Sequence, residues 1–169
     1  EAWEDKEASD VRKEEEEARL LQYRELKKAN SDVAGWIRVD GTVIDYPVMQ
    51  TPETPDFYLK RGFDKKYSAY GMIYMDEDCD LDAGCPNFVL YGHHMKNGSM
   101  FGSLKRYWDN EYYREHASFY LYTAEGDNFL CHITDRRRIP AQTDFFSNMQ
   151  DKEEEAGENG RAGEGGKAG

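Results

Sequence analysis

The residue with the clearest chemical potential is His93, in the stretch Tyr91-Gly92-His93-His94. It follows an apolar run and stands beside a glycine, which predicts a position in a loop just past the end of a strand. An imidazole titrates near neutral pH and therefore suits proton transfer to a leaving group. On spacing alone, a structural or merely exposed histidine is the alternative interpretation.

The possible nucleophiles are weaker candidates. The chain has three cysteines, Cys79, Cys85 and Cys131. Cys131 precedes three arginines at 136–138, but a small thiol on a strand is explained by core packing without any chemistry. Ser99 has no nucleophile-elbow motif around it. Cys79 and Cys85 either pair across a short loop in an oxidising compartment or stay unpaired.

The metal-binding patterns are incomplete. Alternating aspartates in residues 76–82 imitate the start of an EF-hand, yet the required glycine and terminal glutamate are out of register. Cys79, Cys85, His93 and His94 lack the close Cys-x-x-Cys spacing of a zinc site. We therefore predict no metal and no cofactor, and interpret the acidic run as a solvated loop.

Composition narrows the classes of function. The formal net charge is −12, and no stretch is strongly basic, so the chain would repel nucleic acid. Hydrophobic residues make up 38% and aromatic residues 14%, so a core can form. No run approaches the roughly 18 apolar residues of a membrane span. Membrane association is therefore expected only through an anchor that this sequence lacks.

The elements that must position His93 follow from periodicity. Helix-forming residues fill 1–29, with a thin apolar stripe at Val11, Ala18, Leu21 and Leu26. Strands are predicted at 33–39 and 43–49 around an Asp40-Gly41 turn, and further buried strands at 71–75 and 87–91. We also predict one helical turn at 56–59, short helices at 100–107 and 111–116, a hairpin at 118–134 and a helix from about 143.

These elements predict a mostly β fold, a β-barrel with helical insertions. The predicted parts are an N-terminal helical arm at 1–29, a barrel domain at 30–150 and a tail at 151–169. The tail is rich in Gly and Glu and has no large apolar side chain, so we predict that it is disordered.

Six separate segments, in their order and spacing, resemble class B sortases. They are residues 30–37 (NSDVAGWI), 44–48 (IDYPV), 56–59 (DFYL), 71–76 (GMIYMD), 87–94 (NFVLYGHH) and 98–104 (GSMFGSL). The resemblance runs from residue 30 to about residue 147. It implies an eight-stranded barrel with an N-terminal helical arm, and a cysteine transpeptidase on the outer face of a Gram-positive bacterium.

The resemblance also implies roles for residues. In this family a thiolate attacks a peptide carbonyl, a histidine protonates the departing amine and an arginine stabilises the oxyanion. The histidine after the Tyr-Gly pair maps to His93, while Leu59 and Tyr91 match positions near the substrate groove, or serve as ordinary barrel packing. The implied partners are the sorting-signal peptide of surface proteins and a peptidoglycan amine of the cell wall.

The sequence departs from the family where the nucleophile should stand. No segment resembles the Thr-Leu-Ser-Thr-Cys strand that carries the cysteine, or the following strand with the arginine. We therefore expect an incomplete barrel that lacks its last strands, and an inactive form of the enzyme. A non-catalytic peptide-binding module and a non-functional fragment are the alternatives. A shifted reading frame or a gene-end artefact after about Glu154 would explain the abrupt change of composition.

Overall fold

The computed structural model describes residues 2–79, 87–123 and 128–139. The chain divides into two units, Glu1–Thr134 and Asp135–Gly169. The predicted helix from about 143 and the predicted disordered tail lie outside the described residues.

The first hairpin was predicted from the Asp40-Gly41 pair and is confirmed. Strand β1 (Val33–Arg38) pairs antiparallel with β2 (Asp45–Met49), with Trp36 opposite Pro47. Gly41 has a φ of 71°, a left-handed conformation that costs glycine little. Val39 N–H donates to the Ile44 carbonyl at 2.8 Å, so residues 40–43 form the connection. It is therefore longer than a two-residue turn.

In the part of the chain that the structure describes, six strands form one sheet in the order β4-β3-β2-β1-β5-β6. The other strands are β3 (Ile73–Met75), β4 (Leu90–Tyr91), β5 (Ser118–Thr123) and β6 (Asn128–His132). Strands β2 and β3 run parallel and every other pair is antiparallel. The sheet curls, since the ring of Phe88, just before β4, lies 6.3 Å from that of Phe129 on β6. The described part is thus a half-barrel, which agrees with the predicted mostly β fold with helical insertions.

Within the described residues, four helical segments accompany the sheet. Helix α1 spans Ala2–Ala29 and α2 spans Asn110–Glu115, while two 3₁₀ helices span Phe57–Lys60 and Phe101–Trp108. Their positions match the predicted arm, helical turn and short helices. None of the described helices combines the length and apolar character that a membrane span needs.

The apolar stripe predicted for α1 was partly wrong. Val11 and Leu21 are 50% and 61% exposed, whereas Tyr23 is buried and Leu26 partly buried. Tyr23 contributes to the contact because its ring packs in the core while its hydroxyl donates to the Val33 carbonyl at 3.3 Å. The end of α1 therefore packs on the sheet through an aromatic residue with a polar tip.

Alternation along β3 divides the core between the two faces of the sheet. Ile73 and Met75 belong to a cluster with Val48 and Leu121, under the second 3₁₀ helix. Tyr74 belongs to the other cluster, with Tyr23, Val33, Met49 and Tyr58. Strand β4 is different: Leu90 is half-buried and Tyr91 is 37% exposed, so the prediction of a buried strand there was wrong. This strand lies at an end of the sheet, where one flank has no neighbour among the described strands.

A polar network ties α1 to the first 3₁₀ helix. Asn30 Nδ2 donates to the Tyr58 hydroxyl at 2.7 Å and to the Phe63 carbonyl at 2.9 Å. The Tyr58 hydroxyl in turn donates to Asp32 Oδ2 at 2.8 Å, and Lys65 Nζ lies 2.9 Å from the same oxygen. Burial of this phenol raises the pKa of Tyr58 to about 12. The hydroxyl therefore remains a hydrogen-bond donor at neutral pH.

Acid is expected to weaken the fold through Asp32. Burial acts to raise the pKa of Asp32, but hydrogen bonds from Lys65 and Tyr58 outweigh it, so the pKa lies below its ordinary 3.8. The stability that this group contributes is present above the unfolded pKa and is lost as the pH falls through the lower folded pKa. Urea unfolding at a series of pH values should show the free energy of unfolding falling below roughly pH 4.

The Asp32→Asn variant isolates this effect. Its free energy of unfolding should fall less steeply below roughly pH 4 than that of the wild type. Exchange of an exposed carboxylate, Glu53→Gln, should leave the steep fall in place. Parallel curves for the wild type and Asp32→Asn would contradict the prediction.

Candidate functional site

His93 lies two residues beyond the end of β4 and is half-buried. Its carbonyl accepts from the Phe101 N–H at 3.1 Å, which ties it to the start of the second 3₁₀ helix. Gly92 is closely packed, because a Cβ there would lie 2.4 Å from Ile73 Cδ1 and 2.6 Å from Phe101 Cδ2, and these side chains would have to shift. The main chain of His93 is therefore held by a strand on one side and a helix start on the other.

The structure brings His93 together with Leu59. The imidazole Nε2 lies 2.6 Å from the Leu59 carbonyl oxygen, although the two residues are 34 positions apart in sequence. Leu59 belongs to the first 3₁₀ helix, and its side chain packs half-buried against the cluster around Tyr58. Its main chain, rather than its side chain, makes the contact with the histidine.

Tyr91 occupies the last position of β4. Its hydroxyl donates to Asp76 Oδ2 at 2.8 Å, and its ring centroid lies 5.2 Å from that of Tyr74. Burial of the phenol, followed by its hydrogen bond to Asp76, raises the pKa of Tyr91 well above its ordinary value. The phenol therefore stays protonated at neutral pH, and the residue as a whole is 37% exposed at the end of the sheet order.

The neighbouring polar side chains show no activated nucleophile. His94 is exposed. The Ser99 hydroxyl donates to Asn97 Oδ1 at 2.7 Å, and an amide oxygen is too weak a base to take the proton of a serine.

The described thiols lie in packed surroundings. Cys131 is half-buried on β6, opposite Phe119, and burial raises the pKa of its thiol. The reactive species is the thiolate, so this environment lowers the reactivity of Cys131. Cys79 is buried; its thiol lies 3.4 Å from the Asn87 carbonyl and accepts from Val89 N–H at 3.4 Å. Cys85, and with it the question of a Cys79–Cys85 pair, lies outside the described residues.

Three arginines, Arg136, Arg137 and Arg138, belong to the second unit. Within that unit, Asp135 accepts from the Arg136 N–H at 2.7 Å and forms an ion pair with the Arg137 guanidinium.

Asp76, the first residue of the acidic run at 76–82, accepts hydrogen bonds from other residues of the protein. Asp76 is buried; Oδ1 accepts from the Asp78 N–H at 3.0 Å, and Oδ2 accepts from Tyr91. Both oxygens thus serve protein donors, and residues 80–82 lie outside the described part. Among the described residues, no group of three or more His, Cys, Asp or Glu side chains is arranged to hold a metal ion.

Two features of the site escaped the sequence interpretation. One is the hydrogen bond between the His93 ring and the main-chain carbonyl of Leu59. Every residue carries such a carbonyl, so no residue type in the sequence could indicate this contact. The other is Gly71, with a φ of 58°, where a Cβ would lie 2.4 Å from the oxygen of Leu59. A glycine just before a buried strand was the available signal for this close approach.

Two curated proteins with similar sequences are both named sortase B. Sortase B of Listeria monocytogenes is 35% identical over 98 residues, which are 58% of this chain and 39% of that protein. Sortase B of Staphylococcus aureus is 37% identical over 95 residues, 56% of this chain and 38% of that protein. The chain therefore spans about two fifths of the length of these curated relatives. No family model matches the chain.

Solved structures agree with the curated relatives. A structure of sortase B from Listeria monocytogenes superposes with a TM-score of 0.59 and 30% identity, over 78% of this chain and 80% of that one. A Staphylococcus aureus sortase B–substrate complex superposes with a TM-score of 0.62 and 28% identity, over 79% and 64% of the two chains. Identity, coverage and the shared half-barrel agree, and the chain belongs to the class B sortase family.

Proposed function

We propose that this chain carries the peptide groove and the acid histidine of a class B sortase-like cysteine transpeptidase. In that reaction His93 donates a proton to the amine that departs when a sorting signal is cleaved. Leu59 and Tyr91 contact the peptide. The observation that carries the proposal is the position of His93, past the end of β4 and hydrogen-bonded at 2.6 Å to Leu59.

Membership of the family supports a substrate and a cellular location for the proposed reaction. The peptide is the sorting signal of a surface protein, and the acceptor is a peptidoglycan amine on the outer face of a Gram-positive cell. A solved relative bound to its substrate supports a groove in this fold. The exposed ring of Tyr91 beside the half-buried His93 fits a surface that an extended peptide covers.

We further propose that the chain in this form binds the peptide without turning it over. Acyl transfer needs a thiolate beside the histidine. The raised pKa of the Cys131 thiol and the packed surroundings of Cys79 support the absence of such a thiolate among the described residues.

Incubation with a fluorescently labelled sorting-signal peptide tests both parts. Anisotropy should report binding, and mass spectrometry should find neither thioester nor hydrolysis product. Tyr91→Ala should weaken binding about tenfold, because an aromatic contact at the centre of an interface is worth roughly 1–2 kcal/mol. Tyr67→Ala, which removes an 80% exposed ring, is the matched control and should leave binding unchanged.

The possible outcomes separate the hypotheses. A product that disappears in Cys131→Ala would overturn the proposed inactivity and make Cys131 the nucleophile. A product that persists in Cys131→Ala would also refute inactivity and would indicate another thiol. Absence of binding, or equal binding by Tyr91→Ala and wild type, would remove the support for a groove at β4.

A further inference from the structure

The hydrogen bond between His93 and Leu59 determines which ring nitrogen carries the hydrogen. A carbonyl oxygen can only accept, so at 2.6 Å from the Leu59 oxygen the imidazole Nε2 must be the donor. The same holds for the neutral ring and for the imidazolium. The nitrogen that gains and loses a proton is then Nδ1.

The acceptor itself is held rigidly from the side of the first 3₁₀ helix. Leu59 N–H donates to the Asp56 carbonyl at 3.0 Å, and the Tyr58 carbonyl accepts from Met72 N–H at 3.0 Å. The Tyr58 side chain is fully buried, and its hydroxyl is bonded to Asn30 and Asp32. Tyr58, the residue before Leu59, is thus held both by its main-chain carbonyl and by its buried side chain.

Gly71 packs directly against this acceptor. At a φ of 58°, its missing Cβ would lie 2.4 Å from the Leu59 oxygen and 2.7 Å from the Tyr58 oxygen. Any side chain at this position would displace the two carbonyls. Glycine therefore allows the segment before β3 to lie against the carbonyl that receives the histidine.

We propose that the main-chain carbonyl of Leu59 is the positioning group of His93, and that Gly71 and the buried Tyr58 hold it in place. It keeps the ring in the Nε2–H form and leaves Nδ1 to release and recover the proton. This inference rests on the proposed function for the use of that proton, but the tautomer and its anchor exist in the chain without substrate. Leu59 then contributes through its backbone carbonyl, in addition to the peptide contact proposed for the residue above.

The tautomer is measured on the full chain labelled with ¹⁵N-histidine. Long-range ¹H–¹⁵N correlation spectra across roughly pH 5 to 8 follow both ring nitrogens, and the His93→Gln variant identifies the signals of His93. We expect a hydrogen on Nε2 at every pH in this range. A neutral ring that carries its hydrogen on Nδ1 instead would overturn the proposal with no variant needed.

Exchange of the ring hydrogen with water separates a real anchor from the ordinary tautomer preference of an imidazole. The Nε2–H of His93 should exchange about tenfold more slowly than the ring N–H of the neighbouring His94, which is exposed, because the hydrogen bond must open first. Equal exchange at the two histidines would contradict the inference.

Two alanine variants then test the anchor. Gly71→Ala should bring His93 exchange to within about twofold of His94, since the acceptor is displaced. Gly98→Ala is the matched control: Gly98 also has a positive φ, 84°, but its Cβ would meet nothing within 4 Å. Slow exchange that survives Gly71→Ala, or is lost equally in both variants, would refute the role of Gly71. If Gly71→Ala fails to fold, the wild-type spectra still decide the tautomer.

These measurements need no peptide. A chain that fails to bind the sorting peptide but shows the Nε2–H form with slow exchange would refute the proposed function and leave the positioning intact. The opposite result would leave the groove and remove the anchor.

Discussion

Replacement of Tyr58 by alanine is expected to lower the free energy of unfolding by about 3–5 kcal/mol, the cost of emptying the space of a buried aromatic ring. Tyr58 is fully buried between α1 and the sheet. Its loss also removes the hydroxyl that links Asn30 to Asp32. Because small domains are stable by only about 5–15 kcal/mol, a large part of the fold's stability is at stake. Urea unfolding followed by circular dichroism measures the change.

Two further variants separate packing from hydrogen bonding at this position. Tyr58→Phe keeps the ring and should cost about 1–3 kcal/mol, since it leaves Asp32 and Asn30 without a partner for one hydrogen bond each. Tyr67→Ala removes an 80% exposed ring and should change the free energy by less than about 0.5 kcal/mol. Similar losses for Tyr58→Ala and Tyr67→Ala would show that the buried network does not stabilise the fold.

Gly102→Ala should be the most disruptive change close to His93. A Cβ at residue 102 would lie 2.2 Å from the Met95 carbonyl oxygen and 3.0 Å from its nitrogen. Backbone atoms cannot rotate away as the end of a side chain can, so the segment between the two residues must open. We expect a loss of about 3 kcal/mol, at the upper end of the cost of overpacking, together with a shift of the His93 ring signals.

The His93 ring signals should shift in Gly102→Ala because Phe101, next to Gly102, donates its N–H to the His93 carbonyl. Gly62→Ala is the matched control, because a Cβ there would make only ordinary contacts, at 3.4 Å and 3.7 Å. Gly62→Ala should change the free energy of unfolding by at most about 1 kcal/mol. Part of this change arises because alanine lowers the conformational entropy of the unfolded chain. Unchanged His93 signals in a folded Gly102→Ala variant would contradict the proposed link.

The sequence by itself determined the elements and their order. Alternating and β-branched residues placed the strands, and Asp40-Gly41 placed the first turn, because such preferences act between near neighbours in the chain. The segment ending in Tyr91-Gly92-His93 located the histidine beyond a strand, and the spacing of the matched segments indicated the family. These signals are written in the types of the side chains.

The tertiary structure decided what touches what. Sequence periodicity predicted that Leu21 belongs to the apolar stripe of α1, yet Leu21 is exposed and Tyr23 is buried. Tyr23 can be buried because its hydroxyl donates a hydrogen bond to the Val33 carbonyl on β1. Likewise β4 is half-exposed because it lies at the end of the sheet order. Burial of a short apolar run depends on its neighbours in space, and these come from distant parts of the chain.

The anchor of His93 shows this limit most clearly. The group that receives its ring hydrogen is the carbonyl of Leu59, and every residue carries such a carbonyl. No side-chain type can therefore mark it in the sequence. Only the packing of a 3₁₀ helix against Gly71 and the end of β4 brings that oxygen to the imidazole, so the sequence could identify the histidine while the fold selects the nitrogen that is left to react.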